Sequence, residues 1–397
     1  MGQLRFLTAG ESHGKGLVAI IEGMVAGLSL SEDYIAKDLI RRQAGYGRSA
    51  RMKIEHDRAE IVSGVRHGLT IGSPISVLIW NRVWHEWQDN MSVTPVSKKI
   101  EPVTTPRPGH ADLAGLVKYG VDDIRLVLER ASARETAARV AVGAVARRFL
   151  DEFGASVHSH TVGVGVHRAK ESKSIDWKKV EKSPLRCADA AAEKLMMSAI
   201  DEAKAEGDTL GGIFELIATG IPVGLGSHVH WDRRLNARIS QAVASVPAVK
   251  GVEIGMGFAI SAVRGSKAQD VIQAASRGVP GLWQRASNRA GGIEGGMSNG
   301  EPIVVRAAVK PIATLGKPLP SVDLRTRKTA EAHYERSDIC VAPAAGVVGE
   351  AMLALVLAGA MLEKFGGDNL KETMTNYKNF INSINAEDRY AEPKRKK

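Results

Sequence analysis

The segment 344–365, AAGVVGEAMLALVLAGAMLEKF, restricts the fold of this chain more than any other stretch. It reads as a helix that is apolar almost all round. Such a helix needs cover on every side, so it lies between layers of structure or in a subunit interface. Gly366-Gly367 marks its end. With 397 residues the chain is long enough to supply that cover, and length alone suggests two or three domains.

An internal repeat argues instead for one merged domain. Residues 8–28 (TAGESHGKGLVAIIEGMVAGL) lie over residues 205–225 (AEGDTLGGIFELIATGIPVGL) without a gap. Gly10, Gly14, Ile20, Gly23, Gly27 and Leu28 then meet Gly207, Gly211, Ile217, Gly220, Gly224 and Leu225. Each copy reads as a glycine-rich turn, a strand, a second turn and a helix starting near Ser31 or Asp232. The organisation expected is a single domain over 1–383 with halves at about 1–168 and 205–368. A lysine- and glutamate-rich surface excursion at 169–206 separates them, amphipathic near 189–205. His13 faces Leu210 in this alignment, so the fold does not require a histidine there.

Residues 131–149 predict a second strong helix, with Ser132 as N-cap and Glu135 three residues later, as in a capping box. Alternation in 71–80 and 301–309 predicts strands. No unbroken run of about 18 apolar residues is seen, so no membrane span is expected. The start, MGQLRFLTAGESHG, lacks a basic-then-apolar leader and reads as the first strand of a cytosolic protein. Cys187 and Cys340 stand far apart without ligand spacing, which predicts neither a disulfide framework nor a zinc site. His158/His160 and His228/His230 have i,i+2 spacing that permits a metal, but no third ligand stands near either pair and none is expected.

The formal charge of +10 comes partly from Lys394-Arg395-Lys396-Lys397, in a basic tail at 384–397 expected to be disordered. Much of the rest lies in arginines beside glycine, serine and histidine, a setting that suits bidentate capture of phosphate or carboxylate. A nucleic-acid surface would interleave aromatics for base stacking. Aromatics are only 5% of this chain and few sit near these arginines, so small anions are the expected ligands.

Several constellations could carry chemistry. Gly10-Glu11-Ser12-His13-Gly14 is either a tight turn with a surface histidine or an exposed imidazole beside accessible backbone. In Arg41-Arg42-Gln43-Ala44-Gly45-Tyr46-Gly47-Arg48-Ser49-Ala50-Arg51, the first two arginines could answer a helix dipole. Arg48 and Arg51, beyond the glycines, favour an anion site. Arg107-Pro108-Gly109-His110-Ala111-Asp112 is a stiff approach to a second glycine-flanked histidine, where Asp112 orients the ring or caps the next helix. Arg130, Ala131, Ser132 and Arg134 open a helix whose N–H groups attract anions. Lys310-Pro311-Ile312-Ala313-Thr314 ends a strand, after a glycine-rich stretch that includes Gly295. In Glu335-Arg336-Ser337-Asp338, Asp338 is a candidate base near a cation.

Taken together, TAGESHG, RRQAGYGR, PRPGHADLAGLVKYG, LERASARETAARVAVGAVA, GDTLGG, GLGSHVHWDRRLNARISQAVASVPAVKGVEIG, GGIEGGMSNGEPI, KPIATL and ERSDICVAPAAG closely resemble the chorismate synthase family, in the family's order, from the first strand to about Asp368. The resemblance implies an α+β fold, a β-α-β sandwich of antiparallel sheets around a buried helical layer. It implies a cytoplasmic homotetramer, a carbon–oxygen lyase acting on phosphate. Such an enzyme converts 5-enolpyruvylshikimate 3-phosphate to chorismate by anti 1,4-elimination, using reduced FMN without net redox change, in aromatic amino-acid biosynthesis. NADPH is a possible flavin reductant, though no separate reductase domain is visible.

By position, the resemblance makes His13, His110 and Asp338 catalytic. His13 would protonate the departing phosphate, His110 the flavin at its N1 side, and Asp338 would act with flavin N5 on the C6 proton. Arg42, Arg48, Arg51, Arg107 and Arg134 would hold substrate anions, with Arg42 and Arg48 also matching NADPH contacts. Arg130, Ala131, Ser132, Pro247, Ala248, Gly295, Lys310, Pro311, Ile312, Ala313, Thr314 and Arg336 match FMN contacts. Ser49 stands where the family's loop has glycine, and Pro247 where a polar residue is usual. No nucleic-acid or membrane partner is implied.

Overall fold

The computed structural model describes residues 4–48, 56–172, 174–274 and 283–385. The expected basic tail lies outside these from residue 386 onward. The chain opens with strands β1 (Arg5–Ala9) and β2 (Gly16–Glu22), then helix α1 (Glu32–Gln43). Strands β3 (Glu60–Ser63) and β4 (Ile75–Trp80) follow, then helices α2 (Trp84–Trp87), α3 (Asp112–Tyr119), α4 (Arg125–Ala131) and α5 (Thr136–Asp151). After them come β5 (Ser156–Val164), β6 (His167–Arg168), α6 (Trp177–Lys182), α7 (Ala190–Glu206), β7 (Gly212–Thr219), α8 (Leu235–Ala244), β8 (Val249–Ile254) and β9 (Ile303–Val309). Helices α9 (Ala342–Phe365) and α10 (Leu370–Asn385) complete the set used below.

The two larger sheets are antiparallel, in the orders β1-β2-β4-β3 and β8-β9-β7-β5-β6. Period-2 alternation decides which face each sheet buries. In the first, Leu17, Ala19 and Ile21 of β2 register with Ile79, Val77 and Ile75 of β4, and all six are buried. In the second, Ile303, Val305 and Ala307 of β9 register with Ala218, Leu216 and Phe214 of β7, again all buried. Helix α5 packs on β2 and β4, α9 packs on β5 and β7, and the two helices pack on each other. At their crossing, a Cβ on Gly143 would meet Ala351 Cβ at 2.3 Å, so only a hydrogen fits.

Helix α9 is therefore the covered helix that its sequence demanded. It is also long and apolar enough to cross a membrane, with 89% of its apolar window buried inside the protein. The expectation that the chain has no such stretch is thus corrected: the apolar length serves the core. Each of the two aligned segments holds a strand, β2 and β7, and a helix comes after the segment's end, α1 and α8. The 169–206 segment is not wholly on the surface, since Leu185, Met196 and Ile200 are buried in the main core.

One expected helix divides. Ser132 does cap, accepting from the Arg134 N–H at 3.2 Å, but it caps a 3-10 turn, Ala133–Glu135, that precedes α5. Glu135 completes no capping box; it pairs with Arg139 one turn on, at 2.9 Å. The break at Ser132 turns α4 away from α5 and opens a cavity at the junction.

Candidate active site

That cavity, of about 540 Å³, takes its walls from loops at the ends of the main elements. The 10–14 loop leaves β1 through Gly10 at φ 105°, where a Cβ would lie 2.3 Å from the Gly16 carbonyl oxygen. Asn81, just past β4, ties the loop down by donating to the Glu11 and Gly14 carbonyls at 3.0 and 2.8 Å. The Ser12 N–H donates to the Glu129 carbonyl at 3.0 Å. His13 is thereby set on the cavity wall, its side chain 11% exposed.

Glu129 grips His13 twice. Its carboxylate accepts the backbone N–H at 2.9 Å and lies 2.9 Å from the ring Nδ1. The indole of Trp87 stacks on the imidazole at 4.0 Å between centroids, 18° from parallel. Burial pushes the Glu129 carboxyl up, but hydrogen bonds and charge from His13 and Arg125 hold it below its ordinary value.

His110 has a local arrangement of the same kind. Asp112 is the first residue of α3 and caps nothing with its side chain. Its carboxylate lies 2.5 Å from His110 Nδ1 and accepts from Arg107 Nε and Nη2 at 2.8 and 3.0 Å. Arg107 Nη2 is also 2.9 Å from Nδ1. The ionised Asp112 carboxylate can only accept, so at 2.5 Å it takes an Nδ1–H and leaves Nε2 for a ligand. Burial opposes ionisation of Asp112, yet the bonds from His110 and Arg107 hold it well below the usual carboxylate range.

The cations are pre-positioned. Asp57 takes Arg134 Nη1 at 2.5 Å and stands 3.5 Å from Arg42 Nη1. Arg42 also donates to Thr136 Oγ1 and the Ala133 carbonyl, at 2.8 and 2.9 Å, and Arg134 Nε donates to Asn81 Oδ1 at 2.9 Å. Burial, with Arg48 and Arg134 nearby, pushes Arg42 down to about 10, which still leaves it charged at neutral pH. Arg48 pairs with Asp338 at 2.7 Å. Arg107 reaches Thr314 Oγ1 at 3.1 Å, and Ser337 Oγ donates to the Thr314 carbonyl at 2.8 Å. Lys310 donates to the Gly109 carbonyl beside His110. The same cavity is also lined by apolar side chains, Leu128, Val246, Val249, Val341, Ala344, Ala345 and Val348.

The structure brings His13, His110, Asp338, Arg42, Arg48, Arg107, Arg134, Ala131, Ser132, Pro247, Ala248, Lys310, Ile312, Ala313, Thr314 and Arg336 to this one cavity. Ala248 holds φ 70°, a left-handed conformation unusual for a residue with a Cβ. Arg130, Gly295 and Pro311 are not among the lining residues. Arg130 instead donates to Thr8 and Gly10, at 2.7–3.2 Å, and so braces the loop that carries His13. Arg51 and Ser49 lie outside the described residues. Among the described residues no cluster of histidine, cysteine and carboxylate side chains fits a metal ion. His158 stacks on Trp177 at 4.7 Å and His160 bonds Glu215 at 3.0 Å.

Sequence reasoning passed over Glu129, Trp87, Asp57 and Asn81. Only Glu129 had a signal nearby, as a carboxylate inside the quoted motif LERASARET.

A family model described as chorismate synthase matches residues 4–362. The chain belongs to the chorismate synthase family. Chorismate synthase of Moorella thermoacetica is 54% identical over 387 residues, covering 96% of this chain and all of that one. That of Geobacter sulfurreducens is 54% identical over 393 residues, with 96% and 100% coverage. A crystal structure of chorismate synthase superposes with a TM-score of 0.78 at 43% identity, over 97% of this chain and 99% of that one. The family is one of lyases in the shikimate pathway. Pro247 lines the cavity, where it offers a ligand its ring and backbone carbonyl but no side-chain donor.

Proposed function

We propose that this chain eliminates phosphate from 5-enolpyruvylshikimate 3-phosphate, in the anti 1,4 sense, to give chorismate, with reduced FMN held in the same cavity. The observation that carries the reading is two carboxylate-backed histidines and the Arg48–Asp338 pair opening on one cation-rich cavity with an apolar wall. Reduced flavin, when bound, supplies an electron that is lent to the substrate and returned, so the reaction has no net redox change.

The residues present fit that group. The wall formed by Leu128, Val246, Val341 and Val348 suits a flat ring, and Ala131, Ser132, Pro247, Ala248, Lys310, Ile312, Ala313, Thr314 and Arg336 border the same space. Arg42, Arg48, Arg107 and Arg134 hold the phosphate and carboxylates of the substrate; preset cations in a water-poor site stabilise charge without reorganising. His13 gives a proton to the departing phosphate. His110, fixed by Asp112, would offer a proton from Nε2 to the flavin at its N1 side, and Asp338 would act as the base on the C6 proton. Arg42 and Arg48 also suit an NADPH phosphate, so the same cations serve a reductant if one is used. We read the two sheets and the helices between them as a β-α-β sandwich of two related halves, and the working form as a cytoplasmic homotetramer.

The test is an anaerobic assay with reduced FMN and 5-enolpyruvylshikimate 3-phosphate, following phosphate release and chorismate absorbance. Stoichiometric chorismate and phosphate are expected. His13→Ala and His110→Ala should each lower turnover by roughly 10²- to 10⁴-fold. No product while the flavin stays reduced overturns the reading.

A further inference from the structure

His13 and its supporting carboxylate come from opposite ends of the N-terminal half, 116 residues apart. Glu129 meets both the backbone N–H and Nδ1 of His13, at 2.9 Å each, which fixes the ring's position about both of its rotatable bonds. Trp87 blocks rotation by stacking on the ring. Glu129 is shared, however. Arg125, one turn earlier on α4, donates to the same Oε1 at 2.9 Å. The Arg125 guanidinium also lies 4.9 Å from the centre of the Trp87 ring and 3.5 Å from Glu335. Glu335 in turn accepts from His333 Nε2 at 3.0 Å.

We propose that Glu129 is the positioning residue for His13, keeping its proton on Nδ1 and its ring in place, and that Arg125 holds the Glu129 carboxylate for that task. This deepens the reading above, on which its kinetic consequence rests. An ionised carboxylate can only accept, so at hydrogen-bond distance it selects the ring tautomer with hydrogen on Nδ1. Among the described residues, Glu129 and Arg125 from α4 and Glu335, backed by His333, from the 332–338 segment face the ring. Arg42, Arg48 and Arg134 line the same cavity. With Nδ1 occupied by Glu129, proton exchange with a ligand runs through Nε2, and the Nδ1–H is retained in both charge states. His13 can then act as a donor at Nε2 without turning its ring.

The arrangement predicts a tautomer signature, which general loosening of the site cannot give. In ligand-free full-length protein carrying ¹⁵N-histidine, the His13 ring is assigned by its loss in His13→Asn and its neutral tautomer is read by NMR. The parent protein should show Nδ1–H. Glu129→Gln should weaken that preference, and Glu129→Asp should restore part of it. In the elimination assay, Glu129→Gln should lower kcat by about tenfold or more while KM changes little. An unchanged tautomer preference in Glu129→Gln overturns the proposal. If Glu129→Gln does not fold, the parent ring decides, since Nε2–H there overturns the proposal equally. Tautomers that behave as expected in a protein without elimination activity would uphold this inference and refute the catalytic reading instead.

Discussion

Arg41 and Arg42 are neighbours in the last turn of α1, and they enter two buried charge clusters built on different rules. Arg41 donates to Glu350 at 2.8 and 2.9 Å, to Asp38 at 2.7 Å and to Glu181 at 2.8 Å. Glu350 sits fully buried in the middle of α9, where it also meets Arg147, Arg186 at 3.2 Å and Ser159 Oγ at 2.6 Å. Arg147 reaches Asp38 and Arg186 reaches Glu181, so three cations face three carboxylates. Arg42 enters the cavity instead, where Arg42 and Arg134 share the single carboxylate of Asp57 and Lys250, Lys310 and Arg336 add further positive charge. A balanced cluster is finished without a ligand; a cationic surplus behind low-dielectric walls draws anions in. The two fates are visible in the side chains themselves. Burial works against the charge of both arginines, but Glu350 more than compensates for Arg41, whereas Arg48 and Arg134 add to the pressure on Arg42.

If the two clusters have these separate duties, breaking them should damage separate properties. The largest effect is expected from Glu350→Ala, which leaves three arginines facing only Asp38 and Glu181 and should cost about 3–5 kcal/mol of stability. A urea midpoint close to that of the parent protein would show that the cluster holds nothing together. Next comes Arg42→Ala. Loss of a charge-assisted bond of about 1.5–3 kcal/mol should raise the substrate KM roughly 10- to 10²-fold, with the urea midpoint little changed because repulsion from Arg48 and Arg134 is relieved. Unfolding as severe as that of Glu350→Ala would erase the distinction.

The smallest effect is that of acid. Burial pushes the Glu350 carboxyl up, but Arg41, Arg147 and Arg186 hold it far below its ordinary range. A carboxylate depressed in the folded state contributes its full stability above the unfolded value near 4.3, and loses it as pH falls towards the folded one. Urea midpoints should therefore be steady down to about pH 5 and decline below about pH 4, by at most about 1.4 kcal/mol per pH unit from this one group. Glu350→Gln should flatten that decline, and an unaltered acid limb would remove Glu350 as its source.

What the sequence disclosed follows the distance over which each feature is decided. The strands at Ile75–Trp80 and Ile303–Val309 and the helix Ala342–Phe365 were legible because periodicity is local. The Asp112 support of His110 was legible as one of two options because the residues are two apart, and the structure selects the orienting role. Glu129 was not, because only the packing of α4 against the 10–14 loop joins it to His13. Arg41 could be read as a dipole partner only while Glu350, 309 residues away, was out of view. Asp57 and Asn81 carry no motif at all; their meaning lies in Arg42 and Arg134, which α1 and the Ala133–Glu135 turn bring to them. Arg130 shows the converse, since it lies next to Ala131 in sequence yet turns its guanidinium to Thr8 and Gly10.

The contact between Gly143 and Ala351 also limits how this protein can be re-engineered. Helix α9 supplies Ala344, Ala345 and Val348 to the cavity floor, and Thr136 at the start of α5 stands beside them. With the Ala351 methyl already set against bare Gly143 at the crossing, there is no slack to take up. A designer wishing to admit a bulkier ligand cannot spread the floor by sliding one helix along the other. The adjustable parts are the side-chain tips of Val348, Leu128 and Val246, so changes in ligand scope should come in steps of a methyl group.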